Sequence, residues 1–120
     1  MSAGTEVTTT WVAVCPAEQI VPETGVCALV EGEQVAVFRL ADGSVWALGN
    51  LDPFSGASVM ARGIVGDRAG VPVVASPVYK QCFDLRTGAC LDDPSVALPA
   101  HRTEVVEGVV LVAAQEGMAT

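Results

Sequence analysis

The side chains that could do chemistry in this chain are few and scattered. Its four cysteines, Cys15, Cys27, Cys82 and Cys90, show no CxxC or CxxH spacing, so the paired soft donors of a zinc or iron–sulfur site are missing. Cys82 and Cys90 flank a predicted hairpin turn, which leaves a disulfide open to them if the two strands place them face to face. A reducing cytosol favours free thiols, and the plainest role for each is a small buried apolar side chain. The single histidine, His101, stands beside a Pro-Ala pair and is read as a surface residue rather than a ligand. No serine, histidine and acid are spaced as a nucleophile with its base, no GxGxxG follows a strand, and there is no P-loop. Autonomous catalysis has no residue set to carry it.

Charge narrows the partners. Six basic against fourteen acidic residues give a net charge of −8, and binding to a phosphate backbone depends on clustered Lys and Arg, so nucleic acid is not an expected partner. The basic residues are unevenly placed: Arg62, Arg68, Lys80 and Arg86 share their stretch with only Asp67 and Asp84. Such a basic middle is either a docking surface for an acidic partner or a set of scattered solvated charges. No apolar run approaches the roughly 18 residues of a membrane span. Positions 1–10 lack the basic start and apolar stretch of a secretory signal. The expected location is the cytoplasm.

The elements that must position these groups read as strands. Short runs rich in Val, Ala, Phe and Trp alternate with Gly and Asp turns, and helical periodicity is weak, which predicts one all-β domain over 10–113 with flexible ends at 1–9 and 114–120. Strands are expected at 10–14, 26–30, 34–40, 45–48, 71–75, 82–85, 89–91, 104–106 and 109–113. A helical turn is expected at 15–20. Between Gly49 and Gly70 the pattern dissolves into turn residues, and a long loop is predicted there; such loops in compact domains usually carry function.

Two segments then stand out, Asn50-Leu-Asp-Pro-Phe-Ser-Gly-Ala57 and Ser76-Pro-Val-Tyr-Lys80, the second leading into Phe83-Asp-Leu-Arg-Thr-Gly88. Their layout resembles the ligand loops of Rieske iron–sulfur domains, which read Cys-Pro-His-x-Gly-Ala and Cys-Pro-x-His-Gly ahead of a Phe-Asp-x-x-Thr-Gly hairpin. The resemblance implies a Rieske-like antiparallel β-sandwich with two long ligand-type loops at one tip. At the four ligand positions the chain has Asp52, Phe54, Ser76 and Tyr79. A Rieske centre needs two thiolates on one iron and two imidazoles on the other. Phe54 has no lone pair to offer, and Asp52 is a hard donor where a soft one is wanted.

A Rieske-like domain with this loss, together with Arg62-Gly-Ile-Val-Gly-Asp-Arg68 between the loops, is similar to the small-subunit family of NADH-dependent assimilatory nitrite reductase. That resemblance implies a partner, the large catalytic subunit, which would carry FAD, a [4Fe–4S] cluster and sirohaem while this chain carries no cofactor. It also implies a role in reducing nitrite to ammonium that is structural or regulatory. Phe54, Arg62, Arg68, Tyr79 and Lys80 are then the candidate contacts with the large subunit, since aromatic residues favour interface cores; the two rings could equally fill the space a cluster would have taken. Asp52 and Ser76, each before a proline, are read as caps of backbone turns. Two rival functions remain: a Rieske-type ferredoxin, opposed by the four substitutions, and an anion-binding module using Arg62, Arg68 and the Gly-rich loop.

Overall fold

A computed structural model of the chain describes residues 9–114. Of the ends expected to be flexible, 1–9 and 114–120, positions 1–8 and 115–120 lie outside the described residues. Within them the protein is all β, with ten strands in three antiparallel sheets. The strands are β1 (Trp11–Pro16), β2 (Thr24–Val30), β3 (Glu33–Arg39), β4 (Val45–Gly49), β5 (Ile64–Arg68), β6 (Val71–Ala75), β7 (Cys82–Asp84), β8 (Ala100–His101), β9 (Thr103–Val106) and β10 (Val109–Ala113). No helix among the described residues is long and apolar enough to cross a membrane.

The central sheet, β2-β3-β4-β8, is covered on both faces. Strand β3 shows why: Val35 and Val37 pack with Val110 and Val112 of sheet β1-β10-β9, while Ala36 and Phe38 pack with Val74 and Phe83 of sheet β5-β6-β7. Successive side chains of a strand point to opposite faces, and here both faces are dry, which is why this run carries no polar alternation. All four residues are fully buried. Two cores therefore flank one sheet, and the sheet β5-β6-β7 carries the second ligand-type loop on its end.

Three hairpins close on Glu31-Gly32, Ala69-Gly70 and Glu107-Gly108, with both residues of each pair at positive φ, the conformation a two-residue type I′ turn requires. The pair at 69–70 corrects the expectation of an unbroken loop from 49 to 70. Residues 60–62 form a 3-10 turn, and Ile64–Arg68 is a strand paired along its length with Val71–Ala75. Gly66 and Asp67 hide it from a reading by side-chain pattern, but its backbone satisfies the edge that β6 would otherwise expose. The predicted strand at 89–91 is reduced to isolated pairings, Phe83 with Cys90 and Ala89 with Ala97.

His101 also departs from expectation. It lies in β8, paired with Ala47, is buried, and donates from Nδ1 to the Ala113 carbonyl at 2.8 Å. An imidazole buried at this depth needs such a partner. The four cysteines are free; Cys90 pairs with Phe83 rather than Cys82 and is buried, whereas Cys82 is half-buried.

Candidate functional site

Three turns share a single hydrogen-bond pattern. In the first, the Asp52 N–H donates to the Ala57 carbonyl at 2.8 Å, the Gly56 N–H returns to the Asp52 carbonyl at 2.8 Å, and the Phe54 N–H donates to Asp52 Oδ1 at 3.0 Å. The second repeats this about Ser76: its N–H reaches the Gln81 carbonyl at 2.9 Å, Lys80 N–H returns at 3.1 Å, and Val78 N–H donates to Ser76 Oγ at 3.1 Å. The third is built on Asp84, with Ala89, Gly88 and Arg86 in the corresponding places. Each turn is opened by a side-chain oxygen that satisfies the N–H two residues on, the local bond that Asp and Ser make readily.

The fifth residue of each turn has positive φ: Gly56 at 76°, Lys80 at 71° and Gly88 at 83°. Glycine fits this region without cost, whereas an L side chain pays roughly 1–2 kcal/mol. Gly88 is doubly required, because a Cβ there would drive into the Leu98 carbonyl. Lys80 is the exception among the three.

The first two turns are joined to each other. Ser76 Oγ donates to Asp52 Oδ2 at 2.6 Å, and Ser55 Oγ donates to the same oxygen at 2.9 Å. Asp52 and Ser76 are both at 0% exposure. Burial pushes the Asp52 carboxyl up, but the hydrogen bonds from Ser76, Phe54 and Ser55 outweigh it and hold the group below its usual value of 3.8. The buried carboxylate is thus ionised and satisfied by hydroxyl and amide donors. Asp84 is lowered too, chiefly by the Arg86 side chain, whose Nε and Nη2 both reach the carboxylate at 3.1 Å.

The two aromatic positions separate. The Phe54 ring is half-buried, stands 6.2 Å from the Phe83 ring at a 49° tilt, and packs on the core between the central sheet and β5-β6-β7. Tyr79 turns outward at 60% exposure, beside exposed Val78 and Lys80. Arg62 lies exposed two residues before Ile64, which pairs with Ala75, the residue ahead of Ser76. Arg68 pairs with Val71 at the other end of that hairpin, about 13 Å away at the rise of a strand. Its guanidinium is held by Asp92 at 3.0 Å, and Asp92 also accepts the Cys82 N–H at 2.8 Å. The two arginines of the anion-binding reading therefore stem from opposite ends of one hairpin.

Sequence reasoning missed Asn50 and Ser55. Asn50 is buried and ties the first loop to the strands through Gln34, the Ser58 carbonyl and the Ala61 N–H. Nothing in its type announced this. Ser55, three residues after Asp52, had a usable signal, because that spacing lets a hydroxyl reach back to a turn-opening carboxylate.

A family model described as the Rieske-like [2Fe-2S] domain matches residues 10–113. The NADH nitrite reductase small subunit of Escherichia coli strain K12 is 43% identical over 101 residues, which span 83% of this chain and 94% of that protein. A crystal structure from Mycobacterium tuberculosis, named for an NADH-dependent nitrite reductase small subunit, matches with a TM-score of 0.89 at 50% identity, over 92% of this chain and 99% of that one. The NAD(P)H nitrite reductase large subunit of Klebsiella oxytoca is 40% identical over 109 residues, 91% of this chain but 11% of that protein. In that relative the same domain is part of a much longer polypeptide.

A [2Fe–2S] cluster does not fit the residues present. Asp52 and Ser76, which the resemblance sets against the two thiolates, are in direct contact at 2.6 Å, which leaves no room for an iron between them. Phe54 supplies no donor atom, and its ring is committed to Phe83.

Proposed function

The chain belongs to the Rieske-like [2Fe–2S] domain family and, within it, to the NADH nitrite reductase small subunits, and from that premise we propose that it is a non-catalytic accessory subunit of a cytoplasmic nitrite reductase. It docks on the large subunit and stabilises or organises it, while the large subunit holds the FAD, [4Fe–4S] and sirohaem that carry electrons from NADH to nitrite. The docking surface is the loop end: Tyr79, Lys80, Arg62 and the open edge of Phe54, with Arg68 at its margin.

The Asp52–Ser76 hydrogen bond carries this reading. A carboxylate and a hydroxyl close the gap that two thiolates and an iron would span, so the loops keep their shape without a redox centre to support. The Klebsiella relative adds to it, since a domain of this kind within a large-subunit chain has that subunit as its neighbour. The rival reading, a Rieske-type ferredoxin, requires donors that Phe54 cannot supply.

The test is a reconstitution. The purified chain, incubated with iron and sulfide, is expected to remain colourless and iron-free, and to raise the yield, lifetime or NADH-dependent nitrite turnover of its large subunit when added back. Stoichiometric iron with a reducible visible chromophore would sink the accessory reading in favour of the ferredoxin. No effect on the large subunit by any of the three measures would remove it as well.

A further inference from the structure

The residue that breaks the pattern of the three turns is also an exposed cation at the end of the second loop. Gly56, Lys80 and Gly88 occupy one position in one hydrogen-bond pattern, and only Lys80 brings a side chain into the left-handed region. Backbone strain retained in the native state asks for a compensating use.

Of the other non-glycine residues at positive φ, Glu31, Ala69 and Glu107 each open a two-residue hairpin turn that demands it. Glu23 has its carboxylate on the Ala41 N–H at 2.7 Å. The turn itself sets the φ of Lys80, as it does for Gly56 and Gly88, but among the described residues no short side-chain hydrogen bond offsets the cost of a Cβ there. Its ammonium makes one long contact, 3.4 Å to the Pro77 carbonyl of its own turn, and no ion pair among the described residues. It projects beside Tyr79, which is 60% exposed, from a protein whose net charge is −8. With exposed Arg62 at the foot of the adjoining hairpin, this cation beside an exposed ring gives the face a local charge opposite to the rest of an acidic subunit, which directs a partner's carboxylate to this face rather than another and sets its orientation.

We propose that Lys80 is the charged anchor of the docking surface, held left-handed at a cost in stability so that its ammonium meets a carboxylate on the large subunit while Tyr79 packs beside it. This rests on the reading of the chain as a docking subunit, and it adds the partner's chemistry and a trade between stability and affinity. The position that glycine would fill most comfortably is given to lysine because the partner needs the charge.

Full-length Lys80→Gly, Lys80→Asn and Lys80→Arg variants, with the purified large subunit, test it. Glycine and asparagine both tolerate this backbone, so each is expected to raise Tm by about 2–4 °C. Each is also expected to weaken Kd about tenfold, with the loss shrinking as salt rises from about 0.05 to 0.5 M. Lys80→Arg keeps the charge and should bind within about twofold of the parent. Unchanged Kd in the glycine and asparagine variants overturns the anchor while leaving the accessory reading intact. No rise in Tm for either overturns the trade. A parent chain that does not bind the large subunit overturns the docking reading itself.

Discussion

Asp52 and Ser76, 24 residues apart in the chain, are joined by a 2.6 Å hydrogen bond in a fully buried position. Each also opens its own turn by accepting the N–H two residues on. The pair therefore couples two turns that are each complete as local structures, and the stability of one loop depends on the other through it.

Removing the hydroxyl leaves a buried carboxylate one donor short. Ser76→Ala is expected to destabilise the chain by about 1–3 kcal/mol in urea unfolding. A double-mutant cycle with Asp52→Ala should give a coupling energy of about 1 kcal/mol or more. Additive single effects would mean that the two loops are held independently.

The acid limb of stability should report Asp52. Its pKa in the folded chain lies below the 3.8 expected of a free carboxyl, so the ionised form is bound more tightly by the fold than by the unfolded chain. That contribution is in full force above about pH 5 and is lost as pH falls through 3.8 toward the lower folded value. Asp84, lowered by Arg86, adds in the same direction. Urea midpoints measured from pH 7 to pH 3 should fall, and Asp52→Asn should flatten the lower part of the curve. Parallel curves for parent and variant would contradict this.

The two aromatics should behave oppositely. Phe54→Ala removes a half-buried ring from its contact with Phe83 and should cost about 1–3 kcal/mol of stability, below the range for a fully buried phenylalanine. Tyr79→Ala removes an exposed ring and should change stability by less than about 0.5 kcal/mol, while weakening capture of the large subunit about tenfold. Denaturant titration and binding measured on the same samples separate the two effects. A Tyr79→Ala variant that binds as the parent does would take that ring out of the docking surface.

Most of the strands, the Gly88 turn and the places of the two loops follow from the order of residues, because turns and alternation are set by sterics and hydrogen bonds spanning only a few positions. The same local physics makes Asp52 and Ser76 turn-openers, and the absence of cysteine and histidine from both loops is plain in the residues themselves. Tertiary structure alone decided the rest. It turned Phe54 in against Phe83 and left Tyr79 out, a choice set by which core each loop overlies. It buried His101 where the Ala113 carbonyl awaited its proton, and made a strand of Ile64–Arg68 because β6 needed an antiparallel partner. It also brought Asp52 to Ser76, since a bond between distant loops exists only once the sheets beneath them have packed.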